Sequence, residues 1–473
     1  MALLQHLFVL GTVLAAAATL TPAHAADSTP DPTFAAGQSG VPAGWRRSFQ
    51  AGGGTQDERI VGVRRTPDGG YVIAGGINGG AAGKLIFLHK FLRNGTDDPS
   101  FGTNGRVVKD AFLSTVTDMT VDAQGRIVVV GATPGALGQA DFGIVRFSAS
   151  GADDTSFAGD GGTSIAFDRD TPHSRVADQP SSVVTLPDGS VFVVGMISDS
   201  DAGGAPTTTI GLVKLRPDGA RDTAFSNSGN GTSVYCRGIC VNVITVARIV
   251  YDAPRNRLVI GGDYIQGPNN SDWFLVTQTL GAGGASTTYT YAIDRGVSSG
   301  YPLDYMRGLA VQPDGKILAS GWTTMGDLSV RGVVLRREAG TVSEDTTFGN
   351  VSGRGLYLSG TSDTLYNDVA VDGLGRAIVV GDYLATRQSA IRRLTPQGVP
   401  DNTFGNQVGE SLYTAPRSTP TTGSYSTSFK RIALDGGQPL VAGEAPDSAT
   451  ANTDYDLMLL RLSSDLIFAN GFQ

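Results

Sequence analysis

Apolar and polar residues alternate along this chain in short runs, and most runs end at a tight-turn signal. The stretch Val121–Gly131, VDAQGRIVVVG, is the clearest: an apolar residue, a polar turn, a β-branched run and a glycine. Short β-branched runs of this kind, bounded by turn signals, predict strands, and the tight turn between them predicts hairpins. Relatives recur at Arg65–Gly75, Thr185–Gly195, Val311–Gly321 and Val371–Gly381, with looser ones around Asn256 and Gly437. Aligned on the turn, the copies carry Gly69, Gly125, Gly189, Asn256, Gly315, Gly375 and Gly437, about sixty residues apart. Asn is the expected exception at such a turn, because it also tolerates left-handed backbone. Six positions on stands another glycine each time: Gly75, Gly131, Gly195, Gly262, Gly321, Gly381 and Gly443.

Most copies carry four strand-like runs. In the second they are expected at Asp118–Asp122, Arg126–Val130, Gly143–Ser148 and Thr163–Asp168, with Gly131 closing the second run. The turn before the fourth run has its own signature, D-x-x-F, at Asp98/Phe101, Asp154/Phe157, Asp222/Phe225, Asp345/Phe348 and Asp401/Phe404. Asp is suited to cap such a turn and Phe to enter the core. Copy four lacks the signature and offers GAGGAS. Four antiparallel strands bury both faces only against neighbouring copies, and radial closure is the usual solution.

The ends fit closure. Copy seven runs short of an outer strand after Arg461–Ser463, while Asp31–Phe34 and Trp45–Phe49 supply a turn and strand with no copy before them. Asp465/Phe468 matches the same turn signature and competes for that place. The expected fold is therefore all-β: one seven-bladed propeller of four-stranded blades over residues 26–473, the last blade completed by the N-terminal strand. The alternatives are an open array or another blade count, should copy four not form a blade.

With Gln312–Gly321, QPDGKILASG, as its clearest copy, the repeat resembles the delta-60 repeat family of bacterial secreted proteins. The likeness covers nearly all of Asp31–Phe468. It implies a β-propeller-like fold in an exported protein and implies no activity or catalytic residue.

Composition sharpens the class. Gly makes up 65 of 473 residues without a collagen period, and charged residues only 17%. A net charge of −8 without a Lys/Arg cluster gives no electrostatic footprint for nucleic acid. Residues 1–25 read as a secretory leader: an apolar core over Leu7–Leu20, then Ala23 and Ala25 before a cut ahead of Ala26. The n-region departs from the pattern in having no Lys or Arg. No later run is long enough to span a bilayer, so a secreted or periplasmic chain is expected. There Cys236 and Cys240, spaced CRGIC, are expected to close a local disulfide.

Candidate chemistry is sparse. Beyond the leader only His89 and His173 remain, the first in an expected strand and the second in a polar loop. Neither has a Ser or Cys partner set recognisable as a triad. Gly83-Lys84 is not a phosphate loop, since Asn78 and Leu85 stand where such a loop needs Gly and Ser or Thr. A basic residue recurs in the third strand at Lys90, Arg146, Lys214, Arg336 or Arg337, Arg393 and Arg461. It is read either as a channel ring for an anion or, by preference, as a partner of the neighbouring turn Asp or of blade-edge carbonyls. The pairs Asp168/Asp170, Asp199/Asp201 and Asp454/Asp456 are read as solvated loop acids by default. Calcium, or glycosidase chemistry, is what they leave open. Tyr264, Trp273, Trp322 and Tyr383 offer core packing or a sugar-stacking surface.

Three functions follow. A binding scaffold for a glycan or an extracellular or envelope protein comes first, through the unequal loops Ile77–Ala82, Ala132–Ala140, Ile197–Thr209 and Glu444–Thr453. An extracellular carbohydrate-active enzyme and a structural envelope protein are the others.

Overall fold

The computed structural model describes residues 28–38, 40–47, 58–78, 84–110, 112–135, 139–167, 177–200, 206–225, 230–235, 244–267, 270–281, 286–291, 303–360, 363–405, 409–414, 427–446 and 455–463. The leader, Cys236, Cys240, His173, Asp168, Asp170, Asp201, Asp454, Asp465 and Phe468 lie outside them. The described residues form seven four-stranded antiparallel sheets, six of them running in sequence order from inner to outer strand and the last taking its outer strand from the N-terminal side. The inner strands are Glu58–Arg65, Asp118–Val121, Gln179–Thr185, Ile244–Asp252, Asp304–Val311, Thr364–Val371 and Ser428–Asp435, here numbered blades 1 to 7. This is the expected propeller. Copy four makes a full blade, ending in the outer strand Ser286–Tyr291.

The ring closes as the ends predict. In blade 7 the outer strand is Trp45–Arg47, paired with Tyr455–Arg461 in the register Trp45↔Leu460. Asp31 occupies the turn seat, taking Thr33 N–H at 2.9 Å and Arg461 Nε–H at 2.9 Å. Phe34 is fully buried beside Tyr71 of blade 1.

The core sits between blades. Val72, Leu88 and Phe101 of blade 1 pack with Met119, Ile127 and Phe147 of blade 2. Leu440 and Leu459 of blade 7 pack likewise with Ile73 and Phe87 of blade 1. Alternating residues of each strand face alternate neighbours, so the period of two fills two interfaces at once. No blade has a core of its own.

One boundary differs from expectation. In blade 2 the strands are Asp118–Val121, Ile127–Pro134, Ala140–Phe147 and Gly162–Ile165, so the second runs through Gly131 and pairs on as Ala132↔Phe142. Gly131 does not end the strand. A Cβ there would lie 1.7 Å from the Thr115 carbonyl oxygen, and one at Gly381 1.8 Å from that of Leu365. The inner strand bulges at this level, with register shifts such as Ile60/Gly62 and Tyr366/Asp368, and pushes a carbonyl onto the second strand. Only a residue without a side chain fits under it.

Candidate functional site

Each inner strand starts at what is here the upper face, so the turns between first and second and between third and fourth strands fall on the lower face. The repeated signatures all lie below. Arg146 donates from Nε to Asp154 at 2.7 Å and from Nη1 to the Pro217 carbonyl of blade 3 at 2.7 Å, and its guanidinium lies 4.5 Å from the Phe157 ring centroid. Arg336 repeats this on Asp345, Phe348 and the Pro396 carbonyl, and Arg461 on Asp31, Phe34 and the Arg93 carbonyl. Lys90, Lys214 and Arg393 pair with Asp98, Asp222 and Asp401. The residue after the turn Phe adds a backbone bond across the seam: Gly102 N–H to Ser150, Ala158 to Asp218 and Gly349 to Gln397. The recurring cation thus pairs with the turn acid of its own blade in all six copies and, as Arg146, Arg336 and Arg461, also ties that blade to the next, so it is engaged at the lower face and not in a ring about the channel.

Blade 4 lacks the D-x-x-F turn and uses another residue. Arg257, just past its tight turn, bonds Asp252 at 2.8 Å and reaches the Gly315 carbonyl at 2.8 Å and that of Ala339, both in blade 5. The equivalents Arg126 and Arg376 pair with Asp122 and Asp372 in the same way.

Other candidates also prove structural. Asp456, expected as a solvated acid, is buried and ion-paired with Arg47 of the closing strand, because the chain end that would expose it is covered by that strand. Asp199 lies in the strand Val191–Ser200. His89 is buried with Nε2 2.7 Å from Asp97, and burial outweighs that carboxylate in lowering its pKa. Tyr264 and Trp273 are core residues. Tyr383 is half-buried. Among the described residues no three His, Cys, Asp or Glu side chains converge to hold a metal ion.

What does not repeat gathers around the channel. Just below the upper mouth, three blades carry an acid directly after the buried glycine of the second strand. Glu444 accepts the Ile60 N–H at 3.0 Å, Asp263 the Met306 N–H at 2.5 Å, and Asp382 the Ser428 hydroxyl at 2.7 Å, each in the following blade. Burial raises the Asp263 carboxyl to about 7, helped by Asp304 and opposed by the Met306 N–H and Arg307. Burial raises Asp382 as well. Blade 5 has Trp322 in that place instead. Its ring stacks on Tyr305 with centroids 4.1 Å apart, and Arg307 lies 5.3 Å over the Tyr305 face and 3.5 Å from Asp263. All three side chains are part-exposed.

Deeper down, Asp118, Ser182, Arg248, Asp368 and Arg431 share one register of the inner strands, where blades 1 and 5 carry Gly62 and Gly308. Asp118 takes the Ser182 hydroxyl at 2.6 Å and the Val183 N–H, Ser182 receives the Ile249 N–H, and Asp368 takes the Ile432 N–H at 3.1 Å. Sequence reasoning missed this level because the seven positions share no residue type. Aligning the copies on the inner strand, rather than on the turn, would have exposed it.

The profile of a family described as "Domain of unknown function (DUF5122) beta-propeller" matches residues 124–157, 186–225, 312–336 and 375–404. The chain is similar to that family. The matched DUF5122 segments lie in blades 2, 3, 5 and 6, and three of them reach the D-x-x-F turn of their blade. No curated protein matches the sequence. Among solved structures, a protein of unknown function from Dyadobacter fermentans is 11% identical with a TM-score of 0.43, over 89% of this chain and 99% of its own. Apo prolyl oligopeptidase B from Galerina marginata is 10% identical with a TM-score of 0.44, over 86% of this chain and 52% of its own. Penicillium chrysogenum α-L-arabinanase is 12% identical with a TM-score of 0.40, over 72% and 92%. Likenesses this distant carry nothing about chemistry. Among the described residues no helix is long and apolar enough to cross a membrane.

Proposed function

We propose that this protein is an exported binding scaffold that takes a sugar chain at the upper mouth of its channel, over blade 5. The observation that carries the reading is the part-exposed Tyr305–Trp322 stack with Arg307 beside it. Aromatic faces with an adjacent polar donor suit the apolar face and hydroxyl rim of a sugar ring. Trp322 stands where three other blades spend the position on an acid that ties blades together, so it departs from the repeat at a place open to solvent. The test is a glycan array probed with wild-type protein and Trp322→Ala. Trp322→Ala is expected to weaken the strongest glycan signal at least tenfold at unchanged thermal midpoint. An unchanged array, or no glycan signal for either protein, sinks the reading.

Asp263 favours a second reading, a carbohydrate-active enzyme. A buried carboxyl raised to about 7 has the proton affinity of a general acid at neutral pH. It weighs less because Asp263 accepts a backbone N–H of the next blade, as Glu444 does. Release of reducing ends from polysaccharides, abolished in Asp263→Asn, would reverse the order.

A further inference from the structure

A cation deep inside a propeller is costly unless something balances it. At the middle register of the channel the sum does not balance. Arg64, Arg248 and Arg431 reach in from blades 1, 4 and 7, against the carboxylates Asp118 and Asp368. Asp368 is already engaged, one oxygen accepting the Ile432 N–H at 3.1 Å and the other the Val369 N–H at 3.0 Å. Asp118 spends one oxygen on Ser182 and Val183, and its other oxygen, which has no hydrogen bond, faces Arg64 at 3.7 Å. Arg64 is thereby matched.

Arg248 and Arg431 are not. Arg248 donates from Nη1 to the Ala247 carbonyl at 3.1 Å. Arg431 donates from Nε to the Val61 carbonyl of blade 1 at 2.7 Å and from Nη1 to that of Lys430 at 2.7 Å. Among the described residues neither forms an ion pair with a carboxylate. Blades 4 and 7 stand across the ring from one another, yet Arg248 is the strongest charge acting on Arg431. Burial first, and the Arg248 charge second, bring the Arg431 guanidinium down to about 10, with Asp368 and Asp118 opposing them. Arg248 and Arg431 stand at the same register of inner strands on opposite sides of the ring and are both part-exposed, each held by its carbonyl contacts, and among the described residues their remaining N–H groups meet no acceptor.

We infer that Arg248 and Arg431 form a binding site for a small oxyanion, a phosphate, sulfate or carboxylate held between the two guanidiniums. The planar fork of each arginine matches two oxygens of such an anion, and low-dielectric channel walls strengthen the attraction. Arg64 is placed to add field without contact. Asp118 and Asp368, turned to backbone donors and to Arg64, limit the net charge so that one small anion, and not a polyanion, completes the balance. This site lies below the aromatic mouth and does not depend on it.

The test uses calorimetric titration of the mature chain with inorganic phosphate, sulfate and malonate at constant ionic strength in chloride. Glucose serves as the uncharged control. One anion per chain is expected to bind saturably, and Arg248→Met to weaken it at least tenfold. Because Arg248→Met removes a repelling cation without breaking an ion pair, its thermal midpoint in anion-free buffer should match or exceed wild type. Phosphate should then raise the wild-type midpoint and leave the variant's unmoved. A preference for phosphate and sulfate points to a free inorganic ion, and one for malonate to a carboxylate ligand; either supports the site. Trp322→Ala should bind the anion like wild type, which separates failure of this site from failure of the glycan reading. Affinity no better than chloride for all three anions overturns the inference, as does undiminished binding in Arg248→Met.

Discussion

The two ends of this propeller are built on different terms. Below, six of seven blades repeat an acid, an aromatic and a base, the aromatic buried in all but blade 3, where Phe225 is half-buried, and the seam after blade 4 is held by Arg257 from another strand. Above, the corresponding position after the buried glycine is Gly76, Ala132, Met196, Asp263, Trp322, Asp382 and Glu444 in turn. The lower end repeats one turn solution, and among the described residues it joins a blade to the next after blades 1, 2, 4, 5 and 7. The upper end is under no such uniform demand. The difference says where recognition has room to arise, because at the upper position only Asp263, Asp382 and Glu444 are spent on the next blade, and the other copies, Trp322 among them, are under no shared demand.

The sharpest way to break the comparison is at a lower-face tie. Arg146→Met removes the fully buried base, leaves the part-buried Asp154 without its ion-pair partner, and loses the bond to the Pro217 carbonyl and the stack on Phe157. Stripping one partner from a buried pair typically costs about 3–5 kcal/mol, and that loss is expected in denaturant unfolding. Replacing Thr324–Val330 above by a Gly/Ser linker should move the unfolding free energy by under ~1 kcal/mol. Equal losses at the two ends would refute the division.

That division explains how much of the molecule could be read in advance. The lower turns were legible because repetition of Gly125 and its counterparts, and of Asp154/Phe157, marks positions that each blade needs alike. Closure was legible too, since Asp31–Phe34 is the same signature displaced to the other end of the chain. The glycines six residues on were visible but misjudged as strand ends. Their cause is a bulge in the partner strand, a contact between strands that alternation within one strand does not encode. Least legible was the channel. Arg248 and Arg431 are ordinary strand residues in sequence, and their meaning comes from sharing one register of the inner strands of blades 4 and 7. Trp322 was visible as an aromatic, but nothing along the chain marked its stacking on Tyr305.

A middle-sized effect is expected at the upper seam, with a sign that depends on pH. The Asp263 carboxyl sits at about 7 in the fold, against 3.8 without its surroundings. The folded chain therefore holds a proton that the unfolded chain releases, and stability falls as pH rises from about 4 to about 7. Asp263→Asn keeps an acceptor for the Met306 N–H and cannot ionise. It should stabilise the protein at pH 8 by up to about 4 kcal/mol, at 1.36 kcal/mol per pKa unit, with the gain vanishing near pH 4. Measuring unfolding midpoints of both proteins across that range checks it. A gain independent of pH, or a loss at pH 8, would show that Asp263 is stabilised as a carboxylate and would move it to the same footing as the lower-face acids.

The smallest effect distinguishes two kinds of glycine within one repeat. Gly125 sits in the turn with φ at +79°, and an added Cβ would approach Ala149 at 3.2 Å, where the loop can give slightly. Gly125→Ala should therefore cost about 1–2 kcal/mol, the usual penalty of left-handed backbone for an L-residue. Gly131→Ala, six residues on, must displace the Thr115 carbonyl from 1.7 Å and should cost more, although its backbone is ordinary strand. Paired denaturant curves measure the difference directly. The order matters more than either value: if Gly125→Ala costs more than Gly131→Ala, the second glycine is not there for the bulge. In the expected order, one glycine serves its own hairpin and the other serves the inner strand that lines the channel, which joins the lower-face repeat to the site above it.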